Sequence, residues 1–183
     1  MRTRRAALAD LNRLLDLERV FPTDRLSRPN LRRLLRRGHA DVWVCEERGT
    51  VHGDIAVLYR RGSLRARIYS LAVDPAARGR GMARALLALA ENGARARGKR
   101  IMGLEVRCDN AAALGLYERS GYRITARLAH FYEDRAAALK MEKPLVPTQG
   151  VAARPAGEKE SIIRPLQGGN TLVERGMRHE QPL

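Results

Sequence analysis

The chain has 183 residues, a hydrophobic content of 44% and a formal net charge of +15. That length suits one domain with a sizeable core, and no apolar run reaches the length of a membrane span. The first residues lack the apolar segment of a secretory signal, so we expect a cytoplasmic protein rather than a membrane or secreted one. Its two cysteines, Cys45 and Cys108, have no second Cys or His at metal-ligand spacing, so we expect reduced thiols and no metal site.

The positive charge belongs to the part of the chain that we expect to fold. Residues 1–38 carry 11 basic and 4 acidic side chains, residues 39–146 carry 19 and 12, and residues 147–183 carry 5 and 4. Two interpretations remain open. The charge forms a surface for polyanions, namely coenzyme A, RNA or a ribosome, or it reflects a general bias toward arginine.

Hydrophobic periodicity divides the first half of the chain into helices followed by strands. Leucines at spacings of three and four predict a helix over 8–19 and a second one from Ser27, its N-cap, to Gly38. Alternating segments then predict three consecutive strands, of which the first two form a hairpin, at 42–47, 51–60 and 65–73.

The second half alternates between helices and strands. We expect a helix over 80–97 and a strand over 101–107, followed by a helix from Asn110 to about Ser120. Residues 122–128 and 137–143 close the fold as an antiparallel pair. These elements predict one α/β domain over 1–146, with a mixed, largely antiparallel sheet and flanking helices. Residues 147–183 are rich in polar residues, Pro and Gly and predict a disordered tail.

The segment 71–87, Leu-Ala-Val-Asp-Pro-Ala-Ala-Arg-Gly-Arg-Gly-Met-Ala-Arg-Ala-Leu-Leu, predicts a strand end, a glycine-bearing turn and the first turn of a helix. Such a turn directs unpaired N–H groups at an anion near the positive end of the helix dipole. Glycine allows the backbone to approach the ligand closely, and arginine adds charge. The sequence therefore predicts a diphosphate site formed by Arg78, Gly79, Arg80, Gly81, Met82, Ala83 and Arg84.

This segment resembles the pyrophosphate-binding motif of the GNAT acyltransferases, Gln/Arg-x-x-Gly-x-Gly/Ala, here Arg78, Gly81 and Ala83. The motif is short, and a helix N-terminus with incidental glycines and arginines is the alternative. The resemblance implies that acetyl-CoA is bound, with its pyrophosphate on the turn. It further implies that the backbone at the preceding strand end contacts the pantetheine and the thioester carbonyl, through Leu71, Ala72 and Val73.

A second motif covers 104–122, with the pattern Leu-Glu-Val-Arg-x-x-Asn-Ala-Ala-Ala-x-x-Leu-Tyr and a Gly-Tyr exit. It resembles the RimI-like branch of the GNAT superfamily, the bacterial ribosomal-protein-alanine N-acetyltransferases, and the resemblance runs over about 65–145. Both motifs occur at the separation typical of that branch. The family fold implies that the strands 65–73 and 101–107 splay apart to admit the pantetheine.

The resemblance implies roles for three residues of the second motif. Glu105 matches the glutamate that accepts the amine proton through a water molecule. Its alternative role is to pair with Arg107 or another arginine on the same sheet face. Tyr117 matches the acid that protonates the leaving thiolate, although a helical tyrosine can equally be a core residue. Asn110 matches a pantetheine ligand and is also a helix N-cap.

The acceptor is less specified than the donor. The segment 23–25, Thr-Asp-Arg, stands where RimI-like proteins often carry Trp, and it helps to form the acceptor groove. Tyr132 and Glu133 resemble the loop that gates the acceptor, or they belong to an ordinary hairpin loop. We expect acetyl transfer to a protein N-terminal amine, with a ribosomal protein among the candidate acceptors. Transfer to a small amine or an antibiotic is the first alternative. A non-catalytic RNA- or ribosome-binding module is the second, and the scarcity of aromatics argues against direct nucleic-acid binding.

Overall fold

Seven strands form one sheet in the computed structural model, which describes residues 1–21, 23–36 and 38–145. The order across the sheet is β1-β2-β3-β4-β5-β7-β6, and β4 and β5 are the one parallel pair among these described strands. The strands are β1 (Arg2–Arg5), β2 (Ala40–Glu47), β3 (Thr50–Tyr59), β4 (Arg65–Val73), β5 (Ile101–Arg107), β6 (Arg123–Leu128) and β7 (Ala138–Pro144). The predicted mixed, mostly antiparallel α/β architecture is confirmed.

Helices cover both faces of the sheet. They are α1 (Leu11–Leu17), α2 (Arg28–Arg36), α3 (Met82–Ala96) and α4 (Ala111–Arg119). The leucines of α1 and α2 pack on one face, in a core with Val42, Val44 and Ala56. The other face packs against α3 and α4, in a core with Ile55, Leu86 and Met102. This two-sided burial explains why β3 is almost continuously buried.

The predicted elements lie close to the observed ones, with one omission. Ser27 begins α2 as expected, since its hydroxyl accepts from the Asn30 N–H at 3.4 Å. The omitted element is β1, whose four residues are Arg-Thr-Arg-Arg and show no apolar alternation. It forms an edge of the sheet, and Arg4 binds Glu46 and Asp10 there. A charged edge strand of this kind protects the sheet from further pairing, but it leaves no hydrophobic signal in the sequence.

The central strands β4 and β5 diverge. They pair only from Arg65 opposite Ile101 to Arg67 opposite Gly103, although each continues for at least four more residues. The divergence has a local cause in β4, where Tyr69 is an extra residue between Ile68 and Ser70 in the pairing with β3. A bulge of this kind bends a strand. The predicted splay is therefore confirmed.

One expectation concerns residues outside the described ranges, because the predicted tail, 147–183, lies there. Among the residues that are described, no helix has the length and apolar character needed to cross a bilayer.

Candidate active site

The predicted diphosphate site is a turn leading into α3. Gly79 and Gly81 have φ angles of +76° and +78°, and Gly81 is the N-cap of the helix. A Cβ built on either glycine meets no atom within 4 Å, so the space in front of the turn is open. The first N–H to close a helical bond is that of Ala85, which donates to the Gly81 carbonyl at 3.0 Å. Helix geometry therefore leaves the N–H groups of Met82 and the next two residues, Ala83 and Arg84, directed at the open space.

The strand end before this turn is fastened from the other face of the sheet. Arg13 of α1 donates from Nη2 to Asp74 Oδ2 at 2.6 Å and from Nε to the Val51 carbonyl at 2.7 Å. The Arg13 guanidinium, with help from the Ala76 N–H, lowers the pKa of Asp74. Asp74 therefore stays a carboxylate and caps the short turn Pro75–Ala77. No sequence motif indicated Arg13, because its partners lie 38 and 61 residues away.

The three arginines of the turn differ in their surroundings. Arg78 and Arg84 have exposed side chains. Arg80 is also exposed, but its Nη1 donates to Glu47 Oε2 at 2.8 Å. An anion at the turn would therefore compete with Glu47 for Arg80, whereas the described contacts place no carboxylate on Arg78 or Arg84.

The register of β4 decides which backbone groups face the splay. The Asp74 N–H donates to the backbone carbonyl of His52 in β3 at 2.8 Å, so Asp74 directs its backbone groups toward β3. In an antiparallel pair, alternate residues direct both backbone groups to the same side. Leu71 and Val73 therefore direct their N–H and C=O groups toward β5, which has diverged there. Ala72 directs its backbone groups toward β3, opposite Asp54. Of the three residues predicted to contact the pantetheine through their backbone, Leu71 and Val73 are therefore the two whose groups face the splay.

Glu105 lies on β5, just beyond the last residues that pair with β4. Its Oε2 accepts from Arg67 Nε at 2.7 Å, and its side chain is 15% exposed. Arg67 is the last residue of β4 that pairs with β5, at the closed end of the splay. The pairing alternative raised for Glu105 thus exists, with Arg67 as the partner. Arg107 instead binds Asp109 and Asp134.

Tyr117 is on the inner face of α4 and is 7% exposed. Its ring lies edge-on to that of Tyr122, with centroids 5.6 Å apart. Burial raises the pKa of Tyr117 well above its ordinary value, and the nearby Tyr132 adds to the shift. The phenol is therefore protonated at neutral pH and can act as a proton donor but not as a base.

Asn110 begins α4. Its side-chain oxygen accepts from the Ala113 N–H at 3.1 Å, which confirms the N-cap interpretation. The amide nitrogen of the same side chain takes no part in that bond and can donate to a ligand. Asn110 can therefore cap the helix and contact a ligand at the same time.

Several polar side chains lie near Glu105, on the segments that join α1 to α2 and β6 to β7. Burial raises the pKa of Tyr132 to about 12, and the negative charges of Asp24 and Glu105 add to the shift. Asp24 and Arg67 also act on the pKa of Tyr69, which burial raises. Two segments far apart in sequence therefore meet at the splay. Glu133, the other predicted gating residue, is exposed.

Arg67, the side chain in direct contact with Glu105, was not predicted from the sequence. Its signal was weak because arginine is frequent throughout this chain. Two arginines of β4, Arg65 and Arg67, lie on the same face of an otherwise apolar strand. An unneutralised charge on such a strand is a sign that a partner carboxylate lies on the neighbouring strand.

The chain matches the model of the family described as "Acetyltransferase (GNAT) family" over residues 8–122. One curated relative is the [ribosomal protein bS18]-alanine N-acetyltransferase of Escherichia coli K12, 35% identical over 83 residues, which are 44% of this chain and 56% of that protein. Another is the mycothiol acetyltransferase of Beutenbergia cavernae, 47% identical over 64 residues, which are 35% of this chain and 22% of that protein. The chain thus matches about half, or less, of these relatives' length.

Solved structures share the fold over most of the chain. The ribosomal-protein-S18-alanine N-acetyltransferase of Escherichia coli superposes with a TM-score of 0.71 at 23% identity, covering 88% of this chain and 99% of that one. Ard1 of Thermoplasma volcanium gives a TM-score of 0.72 at 26% identity, over 79% and 97%. A chain of the NatC complex, bound to a Gag peptide and CoA, gives 0.68 at 25% identity, over 80% and 100%.

Proposed function

The chain belongs to the GNAT acetyltransferase family, and on that premise we propose that it transfers the acetyl group of acetyl-CoA to the α-amine of a protein N-terminus. One feature of the fold carries the proposal. The splayed end of β4 presents the backbone of Leu71 and Val73 next to the open N-terminus of α3. A pantetheine arm can complete the unpaired strand edge while its diphosphate binds the helix N-terminus. The family relationship also supports acetyl-CoA as the donor.

The backbone supplies binding and charge stabilisation in this proposal. The N–H groups of residues 79–84 bind the diphosphate, with Arg78 and Arg84 adding positive charge. Asn110 binds the pantetheine through its free amide. The Val73 N–H donates to the thioester carbonyl oxygen and stabilises the negative charge that develops there. These contacts hold the thioester beside the incoming amine, which lowers the entropic part of the barrier.

Glu105 and Tyr117 manage the protons. A primary amine is largely protonated at neutral pH and must lose a proton before it attacks. Glu105 accepts that proton, with a water molecule between them. The C–N bond forms, the C–S bond breaks, and Tyr117 donates its proton to the departing thiolate. Arg67 holds the Glu105 carboxylate at the point where β4 and β5 stop pairing, beside the position at which the amine enters.

The acceptor side favours a peptide over a small amine. The polar group around Asp24, Tyr69 and Tyr132 extends from one connecting segment to another, and such a surface can contact several residues of a chain. Two similar proteins support this assignment. The Escherichia coli relative is named for a ribosomal-protein alanine, and the NatC complex is bound to a peptide. A ribosomal protein is thus the acceptor that we favour. The reaction would take place in the cytoplasm, in keeping with Cys45 and Cys108, which are both free thiols.

The mycothiol acetyltransferase likeness supports a small amine as the second candidate. One experiment separates the two. The purified protein is incubated with acetyl-CoA, a library of peptides with free N-termini and a set of small amines, and acetylated products are identified by mass spectrometry. Acetylation at peptide α-amines is the expected result. Acetylation of small amines alone would replace the proposal with the second candidate, and no acetylation of either set would refute both.

A further inference from the structure

The outer face of α2 is almost purely cationic. Four of its arginines are exposed, whereas Leu31 is buried and Leu34 and Leu35 pack into the core beneath the helix. The single other exposed position among these nine helical residues is Pro29. The exposed arginines, which we call the α2 arginine face, are Arg28, Arg32, Arg33 and Arg36.

The spacing of these side chains makes a continuous row. Arg28, Arg32 and Arg36 recur every four residues, so they lie one above another along the helix, and the row is about 12 Å long. Arg33 flanks it on one side. Together with Pro29 these side chains line an open groove of about 400 Å³.

The charge of this face has no carboxylate partner among the described residues, whereas about half of the arginines elsewhere in the described fold form ion pairs. Arg28 donates to a neutral amide, Asn12 Oδ1, at 2.9 Å. Within the part of the chain that the structure describes, no carboxylate lies within 4.0 Å of the other three. Arginines in ion pairs include Arg4, Arg13, Arg67, Arg80, Arg95, Arg97 and Arg107. Other described arginines also lack an ion-pair partner, so the feature that distinguishes α2 is the arrangement of its four arginines side by side on one helix face.

We propose that the α2 arginine face docks the protein on the phosphodiester backbone of RNA. Guanidinium groups bind phosphate oxygens with paired hydrogen bonds, and a row of them matches a regularly charged polyanion. The face has no aromatic or large aliphatic side chain, so it lacks the anchor that a protein partner or a lipid bilayer would use. The expectation against direct nucleic-acid binding rested on the scarcity of aromatic side chains, which bears on base stacking and not on contacts with phosphates. The same lack excludes base stacking on this face, so the proposed binding is independent of sequence.

The choice of RNA rests on the proposed function. The helix begins at Arg28, directly after the segment that holds Asp24 at the acceptor side of the splay. A ribosomal acceptor brings RNA close to that side. The α2 arginine face would then raise the local concentration of the acceptor without taking part in the chemistry.

The test measures RNA binding and acetyl transfer separately. Binding of a labelled 24-nucleotide single-stranded RNA is followed by fluorescence anisotropy at several KCl concentrations. The variant Arg32→Gln/Arg33→Gln/Arg36→Gln is compared with the matched control Arg119→Gln/Arg123→Gln/Arg127→Gln, which removes three exposed arginines on α4 and the far edge strand β6. Polyglutamate and phosphatidylserine vesicles serve as alternative polyanions. Acetylation of a free peptide is measured for each protein.

We expect the α2 variant to bind RNA about tenfold or more weakly at low salt, with the slope of log K against log [KCl] reduced by about 2. The control should keep the wild-type slope, and peptide acetylation should be unchanged in the α2 variant. Equal losses in both variants, or a preference of the wild type for vesicles or polyglutamate, would overturn the proposal. The two measurements are independent. RNA binding tests this proposal, and acetylation of the free peptide tests the proposed enzymatic function.

Discussion

The guanidinium of Arg67 holds the carboxylate of Glu105 at 2.7 Å, across the point where β4 and β5 stop pairing. Arg67 lies on β4, the strand that presents the backbone of Leu71 and Val73. Glu105 lies on β5, the strand that leads to Asn110. The ion pair therefore ties the two sides of the splay together at its closed end. It also fixes Glu105 beside the entrance for the amine.

Replacement of Glu105 by Gln tests its role as the base. The variant should lose turnover by about ten- to ten-thousandfold, because the amine then loses its proton only to bulk water. The rate of the variant should still rise with pH toward the pKa of the acceptor amine, because only the free amine reacts. Both effects are read from steady-state rates with the true acceptor between pH 6 and 9.

Arg67→Met is the control that distinguishes catalysis from a purely structural ion pair. It removes the same pair but leaves the carboxylate in the site. If Glu105 is the base, Glu105→Gln should lower turnover far more than Arg67→Met does. Equal turnover losses, accompanied by equal losses of thermal stability, would mean that Glu105 is only the partner of Arg67.

Tyr117→Phe should lower turnover within the same range while the affinity for acetyl-CoA stays nearly constant, because only the proton donor is lost. Tyr122→Phe is the matched control, since its ring packs against that of Tyr117. That control should keep wild-type turnover. Wild-type turnover in Tyr117→Phe would show that the thiolate leaves without help from this phenol.

Gly81→Asp should abolish acetyl-CoA binding, measured by calorimetry. Asp and Asn both tolerate the positive φ at this position, and the open space accommodates either side chain. Only Asp adds a charge. Two like charges about 4 Å apart repel by about 4 kcal/mol near a protein surface, or about a thousandfold in affinity. Gly81→Asn should therefore bind far better than Gly81→Asp, and equal affinities would place the diphosphate elsewhere.

Asp54 of β3 gives the fold a dependence on pH that is separate from catalysis. Its side chain is buried without a hydrogen-bond partner for either oxygen. Burial raises the pKa of Asp54 well above its usual range, and the buried Glu18 nearby adds to the shift. The folded state therefore holds a proton that the unfolded state releases above its own pKa of about 4, so folding stability falls as the pH rises through this window.

Asp54→Asn removes this pH dependence of the folding stability while it keeps the size of the side chain. Its stability relative to the wild type should increase with pH above about 4, with a slope of up to about 1.4 kcal/mol per pH unit until the folded pKa is reached. Urea unfolding at pH 5, 6, 7 and 8 measures the difference. Parallel stability curves for the two proteins would mean that Asp54 is ionised in the folded state.

The sequence predicted the elements whose hydrophobic pattern is local. The limits of β4 and β5 follow from alternating burial, and the turn into α3 follows from two glycines that need positive φ angles. The strand β1 escaped detection because an edge strand of polar residues carries no such pattern.

Contacts between distant segments could not be predicted in the same way. The pairing of Arg67 with Glu105 joins residues 38 positions apart and depends on the exact register of two strands. The engagement of Arg80 by Glu47 depends on how a hairpin packs beside the turn. An arginine-rich composition offers many possible partners for each carboxylate, so only the fold selects among them.

Acetylation of a paired peptide substrate tests the central claim most directly. Two peptides of ribosomal type, each with one internal lysine, differ only in whether the N-terminus is free or formylated, and the acetylated atom is located by tandem mass spectrometry. We expect rapid acetylation of the free α-amine and none of the formylated peptide. Acetylation of both peptides at lysine, or of neither, would contradict the assignment of a protein N-terminal amine as the acceptor.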